Sequence, residues 1–218
     1  MVTRQGVIKR TLLSEYEIQR KGGKIAINLD EGDELIFAAH THGDTDIMVA
    51  TSTGLAARFP EEKVSVMGRT AHGVRGIKLN EGDYLVDVAC DSDGSQVLTV
   101  TDNGYGKITP TEDYTEHHRG STGVTGHAVT DKTGPVKAIM CVNGDEDVMM
   151  IASNGVIIRT GVEAIRVCGR ASQGVRLMRL SDDVKIISIT RALKEDEEDV
   201  SEIAETAENT EVTETVEE

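Results

Sequence analysis

Eleven basic residues recur in two kinds of surroundings. In the first, a Lys or Arg stands three or four positions after a glycine: Gly6 then Lys9 and Arg10, Gly54 then Arg58, Gly104 then Lys107, Gly155 then Arg159. In the second, the bases lie among glycines: Arg20-Lys21-Gly22-Gly23-Lys24, Gly68-Arg69, Arg119-Gly120 and Gly169-Arg170. Guanidinium and ammonium groups beside glycine suit the binding of phosphate, because the base supplies charge and the glycine lets backbone N–H groups come close. Phosphate contacts give affinity without reading bases. Single bases on strand edges also guard against edge-to-edge pairing, so the residues alone leave both roles open.

The elements that must position these groups follow from their spacing. The leading glycines Gly6, Gly54, Gly104 and Gly155 are 48, 50 and 51 residues apart. Gly23, Gly73, Gly123 and Gly174, which close the second group, are 50, 50 and 51 apart. Glu31-Gly32-Asp33 returns 50 residues later as Glu81-Gly82-Asp83, then decays to Thr133-Gly134 and Asp182-Asp183. A period near fifty points to propeller blades or solenoid units. Before the leading glycines stand β-branched or Met-rich runs, Ile47-Met48-Val49-Ala50-Thr51, Val97-Leu98-Thr99-Val100-Thr101 and Val148-Met149-Met150-Ile151, which read as buried strands. Asp102-Asn103-Gly104 and Ser153-Asn154-Gly155 supply the positive-φ residues of tight hairpins. Residues 84–90 and 184–189 read as further strands, and no stretch before residue 194 sustains a helical period. The expected fold is all-β, about four propeller-like blades of about fifty residues over 1–193. In the first repeat Met1-Val2-Thr3 aligns with Val49-Ala50-Thr51, so Met1 is expected to be internal to a longer protein and the first blade to be marginal.

Composition bounds the rest. Aliphatic residues must fill the core, because the 218 residues include no Trp, 2 Phe and 4 Tyr. The net charge of -15 belongs mostly to residues 195–218, which hold 12 of the 38 acids and no Lys or Arg. The remaining 26 acids face 23 bases, a net of -3, so nucleic-acid binding would have to come from how the bases are arranged. Residues 194–218 are expected to form a disordered acidic tail. Cys90, Cys141 and Cys168 are odd in number and far apart, which suits reduced thiols of a cytoplasmic protein better than a disulfide or metal site. No apolar run approaches the ~20 residues of a membrane helix. His40 and His42, read as alternating on one strand, and His117-His118 lack the converging partners of a metal site. Asp33 and Asp83 sit at turns, where capping is their expected role. There is no P-loop and no Gly-x-Ser-x-Gly elbow, so no catalytic residue and no cofactor are expected in this chain.

These motifs, in this order, resemble the C-terminal domain of DNA gyrase A, the A-type protein of a type IIA topoisomerase. The likeness rests on Gly6-Val7-Ile8-Lys9-Arg10-Thr11, the Glu-Gly-Asp turns, Met67-Gly68-Arg69 with Gly73-Val74-Arg75-Gly76-Ile77, Thr101-Asp102-Asn103-Gly104-Tyr105-Gly106-Lys107, and Gly169-Arg170 with Gln173-Gly174-Val175. It covers residues 1–193, and the acidic tail is also typical of the family. The resemblance implies a β-pinwheel, a propeller-like ring whose blades exchange strands and whose basic outer edge wraps DNA so that the enzyme introduces negative supercoils. It implies that Lys9, Arg10, Arg20, Lys21, Lys24, Arg58, Arg69, Lys107, Arg119, Arg159 and Arg170 contact double-stranded DNA. Gln19-Arg20-Lys21-Gly22-Gly23-Lys24 is similar to the family's wrapping box but has Ile25 where the box has glycine. It falls in the third blade of an expected six, so the chain would hold the last four. The family's partners are the rest of gyrase A and the gyrase B protein, joined in an A2B2 heterotetramer, with ATP and Mg bound elsewhere. Tyr16, Tyr84, Tyr105 and Tyr114 all lie in the repeats, outside the context of the family's DNA-cleaving tyrosine, so the chain should not cleave DNA alone. The related A-type protein of topoisomerase IV, and a protein-interaction propeller without a DNA role, are the alternative readings.

Overall fold

The computed structural model describes residues 1–17, 22–192 and 194. The expected disorder of the acidic tail and the bases Arg20 and Lys21 lie outside the described residues. The fifteen strands are β1 (Val2–Thr3), β2 (Val7–Ile8), β3 (Leu35–Phe37), β4 (Asp46–Thr51), β5 (Leu55–Pro60), β6 (Val74–Arg75), β7 (Leu85–Cys90), β8 (Gln96–Thr101), β9 (Tyr105–Pro110), β10 (Val124–Thr125), β11 (Val136–Val142), β12 (Asp147–Ala152), β13 (Ile157–Gly161), β14 (Val175–Arg176) and β15 (Ile186–Ala192). They form four antiparallel sheets, ordered β3-β1-β2-β6, β10-β5-β4-β7, β11-β8-β9-β14 and β13-β12-β15. The sheets follow the repeats, so the all-β fold and the blade count stand as read from the sequence.

The order also shows what the repeats do to one another. β6 belongs to the second repeat but pairs with β2 of the first, Val7 opposite Arg75 and Ile8 opposite Val74. β10 of the third pairs with β5 of the second, and β14 of the fourth with β9 of the third. Each of the last three blades therefore lends a two-residue strand to the one before it, the exchange that defines a pinwheel. The glycine that closes each second motif makes this possible. A Cβ on Gly123 would lie 2.4 Å from the Ala56 carbonyl oxygen, and one on Gly174 2.3 Å from that of Gly106. Both residues hold φ near +70° (71 and 69), a conformation that side chains disfavour.

Strand alternation sends neighbouring residues into different cores. In β4, Val49 packs with Val2, Ile8, Phe59 and Val88 towards the first blade. Met48 and Ala50 face the third, with Val97, Val136 and Ile139. In β8, Val97 points back to that core while Leu98 and Val100 enter the next, with Val148, Met150 and Ile186. A strand buried on both faces reads as an unbroken apolar run rather than an alternation, which is why these strands were visible in the sequence.

The turns carry the expected caps. The Asp83 carboxylate accepts from the Thr53 and Tyr84 N–H groups and the Ser52 and Thr53 hydroxyls, tying one hairpin turn to the start of β7. Asp33 does the same with the Gln5 and Glu34 N–H groups. In the hairpins only the glycines reach positive φ: Gly104 is at +77° while Asn103 is not positive, and the Gly104 N–H closes the turn on the Thr101 carbonyl. The positive-φ residues expected of Asp102-Asn103-Gly104 and Ser153-Asn154-Gly155 are thus Gly104 and Gly155. β1 lies inside its sheet, between β3 and β2. One expectation changes. His40 and His42 lie in the connector after β3, their rings edge-on at 4.7 Å, and not on a strand. All three cysteines are free thiols. No helix among the described residues is long and apolar enough to cross a membrane.

Candidate nucleic-acid interface

The Gly/Arg loops lie just before the lent strands, so the exchange fixes where they sit. Each is a tight turn, closed by the Ala71 N–H on the Gly68 carbonyl, Ser121 on His118 and Ser172 on Gly169. Each loop also leans on a segment of the blade before it: the N–H groups of Asn28, Lys78 and Ala128 bond the carbonyls of Ala71, Ser121 and Ser172. The arginines repeat the pattern. Arg69 donates to the Ile25 carbonyl, Arg119 to that of Lys63 at 2.8 Å, and Arg170 to that of Thr125 at 2.6 Å. The three loops thus form one row along one edge of the molecule, a blade apart. Each guanidinium is half-buried and anchored by one nitrogen, with donors left over from its five N–H groups.

The bases of the first motif sit differently. Lys9 and Lys107 are 1% and 0% exposed. The Lys9 ammonium donates to the carbonyls of Ala26, Gly68, Arg69 and Ala71, at 2.9, 3.1, 2.6 and 3.2 Å. Lys107 donates to those of Gly169 and Ser172, at 2.9 and 3.1 Å, and to that of Arg170. Direct phosphate contact by these two lysines is therefore corrected, since each points inward and grips the loop of the next blade. Burial lowers the pKa of Lys9, and holds that of Lys107 down to about 8, with the Arg170 charge adding to the latter effect. The signal that could have found this is position: the third residue after the leading glycine is Lys9, Ala57, Lys107 and Ile158, a series that mixes lysine with small and apolar residues as an interior site would.

Where the fourth position is an arginine, in the first, second and fourth repeats, it is paired. The Arg58 guanidinium bonds the Asp46 carboxylate at 2.7 Å and the Thr111 carbonyl at 3.0 Å. Arg159 bonds Asp147 at 2.7 Å, and Arg10 lies 3.8 Å from Glu61. Glu61 is 1% exposed; its own burial opposes ionisation, but hydrogen bonds from Thr41, Thr45 and Gly43 and the Arg10 charge outweigh it and hold the carboxyl below its usual range. These ion pairs join strands within a blade or hold the connector to the next. Lys24 is exposed, its ammonium on the Glu17 carbonyl at 2.9 Å.

The structure adds bases that the two motifs did not mark. Arg75 and Arg176 are on the lent strands, and Lys78 and Arg179 follow three residues later; all four are exposed. Arg176 is held over the Tyr105 ring and bonds its hydroxyl at 2.8 Å. The third repeat has Thr125 and Ala128 at these places. The row is thus most basic beside the loops of the second and fourth repeats.

Comparison with known proteins agrees with this architecture. The family model described as DNA gyrase C-terminal domain, beta-propeller, matches four times, at residues 1–41, 45–90, 95–143 and 146–192. The DNA gyrase A protein of Staphylococcus aureus strain MRSA252 is 44% identical over 196 residues, covering 89% of this chain and 22% of that protein. The chain thus spans about a fifth of the length of the curated relatives it matches. A solved DNA gyrase A C-terminal domain superposes with a TM-score of 0.77 at 26% identity, over 88% of this chain and 64% of that one. The C-terminal domain of a DNA topoisomerase IV gives 0.83 at 25%, over 94% and 65%. Four sheets, three exchanged strands and four successive family matches lead to one conclusion: the chain belongs to the DNA gyrase C-terminal domain family of β-propellers.

Proposed function

We propose that the chain binds double-stranded DNA without sequence preference and wraps it along the row of arginine loops. The observation that supports this best is the placement of Arg69, Arg119 and Arg170, a blade apart along one edge and each braced on a backbone carbonyl. Bending stiff DNA by 40–90° costs on the order of 1–6 kcal/mol, which several phosphate contacts must offset. A rim that repeats its cationic site suits that need. On this reading residues 1–193 are the last four blades of a six-blade ring in the gyrase A protein of a cytoplasmic, ATP-driven gyrase. Its partners are the rest of gyrase A and the gyrase B protein, joined in an A2B2 heterotetramer. The segment leaves DNA cleavage, ATP and Mg to other parts of that enzyme.

Gel shifts of residues 1–194 on short duplexes over a salt series test the proposal. Binding should weaken steeply with salt and be indifferent to sequence. Charge reversal at Arg69, Arg119 or Arg170 should each flatten the salt slope by about one. Binding that is absent, or insensitive to salt, overturns the proposal in favour of a protein-interaction propeller. The topoisomerase IV likeness favours a second reading, the A-type protein of that enzyme. An intact wrapping box in the sequence upstream of Met1 would exclude it.

A further inference from the structure

The two loops gripped by lysine differ from the one that is not, and the difference lies in a single peptide. In the second and fourth repeats the buried ammonium draws carbonyls inward: those of Gly68, Arg69 and Ala71 to Lys9, and those of Gly169, Arg170 and Ser172 to Lys107. The peptides are trans, so the N–H on the far side of each inward carbonyl points away from the lysine. Those are the N–H groups of Arg69, Thr70 and His72, and of Arg170, Ala171 and Gln173, none of which bonds to another described residue. In the third repeat the lysine position is Ala57, fully buried and without charge. There Gly120 takes φ +76°, the positive value that a type II turn requires at this place, and its N–H turns inward to the Gly76 carbonyl at 2.6 Å. The equivalent residues Thr70 and Ala171 do not have positive φ. The loop tip therefore presents outward N–H groups in two blades and an inward-turned N–H in the one between them.

We propose that Lys9 and Lys107 each build a backbone cradle for a DNA phosphate at the tip of the following blade's arginine loop, and that loop 118–123 is not such a cradle. Successive N–H groups with a common outward direction form an anion site, and the Arg69 and Arg170 guanidiniums stand beside theirs with spare donors. Beside the fourth-repeat loop lies a shallow depression of about 550 Å³ lined by Asp113, Gly169, Arg170, Ala171 and Ser172. The cradled loops are also those flanked by Arg75 and Lys78, and by Arg176 and Arg179, so charge and backbone alternate together. Lys9 and Lys107 are positioning residues that never touch the phosphate. The inference rests on the DNA-binding reading, and it divides the rim into strong sites at alternate blades.

Amide NMR of residues 1–194 titrated with short duplex DNA tests it. The amide signals of Arg69, Thr70, His72, Arg170, Ala171 and Gln173 should move downfield and saturate with binding, while that of Gly120 stays. If DNA binds and these six do not respond, or Gly120 responds as they do, the cradles are overturned and the binding proposal survives. If no DNA binds, the binding proposal falls, and a titration with inorganic phosphate decides the cradles on the same signals. Lys107→Met then separates positioning from packing. It should abolish the response at Arg170, Ala171 and Gln173, leave that of Arg69, Thr70 and His72, and weaken DNA binding about tenfold with a salt slope flatter by about one. An unchanged response at Arg170, Ala171 and Gln173 in a folded Lys107→Met protein overturns the positioning role, and the wild-type titration stands if that variant does not fold.

Discussion

At the scale of single residues, a basic side chain in this fold is one of three things. Lys9 and Lys107 are internal struts, Arg10, Arg58 and Arg159 are halves of ion pairs, and Arg69, Arg119 and Arg170 are half-buried groups on the rim. The roles predict different responses to the same change. Lys107→Glu puts an unpaired buried carboxylate against three carbonyls and should cost about 3 kcal/mol or more of stability. Arg119→Glu should leave the melting temperature within a few degrees of wild type and lower DNA affinity. Thermal unfolding by circular dichroism distinguishes the two, and equal melting temperatures would put Lys107 back on the surface. The sequence could not separate these roles by type, because all are bases near a glycine. Position along the strand separates the bases: the lysines at the third position are buried, and the arginines at the fourth, Arg10, Arg58 and Arg159, are not.

At the scale of elements, the exchanged strand is the unit of cohesion. Gly123→Val places a Cβ against the Ala56 carbonyl at a strained φ and should cost about 2–4 kcal/mol. Gly23→Val, at φ +68 with open space around it, should cost about half as much or less, which chemical denaturation would measure. Two groups near the blade joints, the buried His127 and the half-buried Asp87, give opposite pH effects. Burial, with the Lys107 charge adding to it, holds His127 down to about 4, so its contribution is present above pH 6.5 and lost as the pH falls towards 4. Burial raises Asp87 to about 6, so folding is favoured below its unfolded value of 3.8 and loses that advantage as the pH rises through 6. Between pH 4 and 6 the two oppose each other. His127→Leu should therefore turn the pH dependence of the melting temperature towards greater stability in acid than wild type shows, and an unaltered slope would refute the His127 assignment. Long strands such as β4, β8 and β12 were legible because apolar residues crowd them. β6, β10 and β14 were not, since two residues carry no periodicity and their partners lie 66 to 71 residues away in a different repeat.

At the scale of the whole molecule, the fifty-residue period made the architecture legible, and charge arithmetic separated an almost neutral body from an acidic end. The row of loops was legible only in part: the arginines were evident, but Arg75, Lys78, Arg176 and Arg179 belong to strands that only the exchange brings to the rim. Removing residues 195–218 changes the net charge from -15 to -3. It should tighten DNA binding at low salt and have little effect once salt screens the tail, a comparison that two gel-shift series would settle. The exchange of strands has a last consequence. β10 follows the connector 91–95 in the chain yet completes the sheet that precedes it. A protease that cuts this connector severs the backbone but not the fold, because the C-terminal piece still supplies β10 to the sheet of the N-terminal piece. The two pieces should run as one particle in native chromatography and part only under denaturant, so covalent continuity between blades is dispensable once the chain has folded.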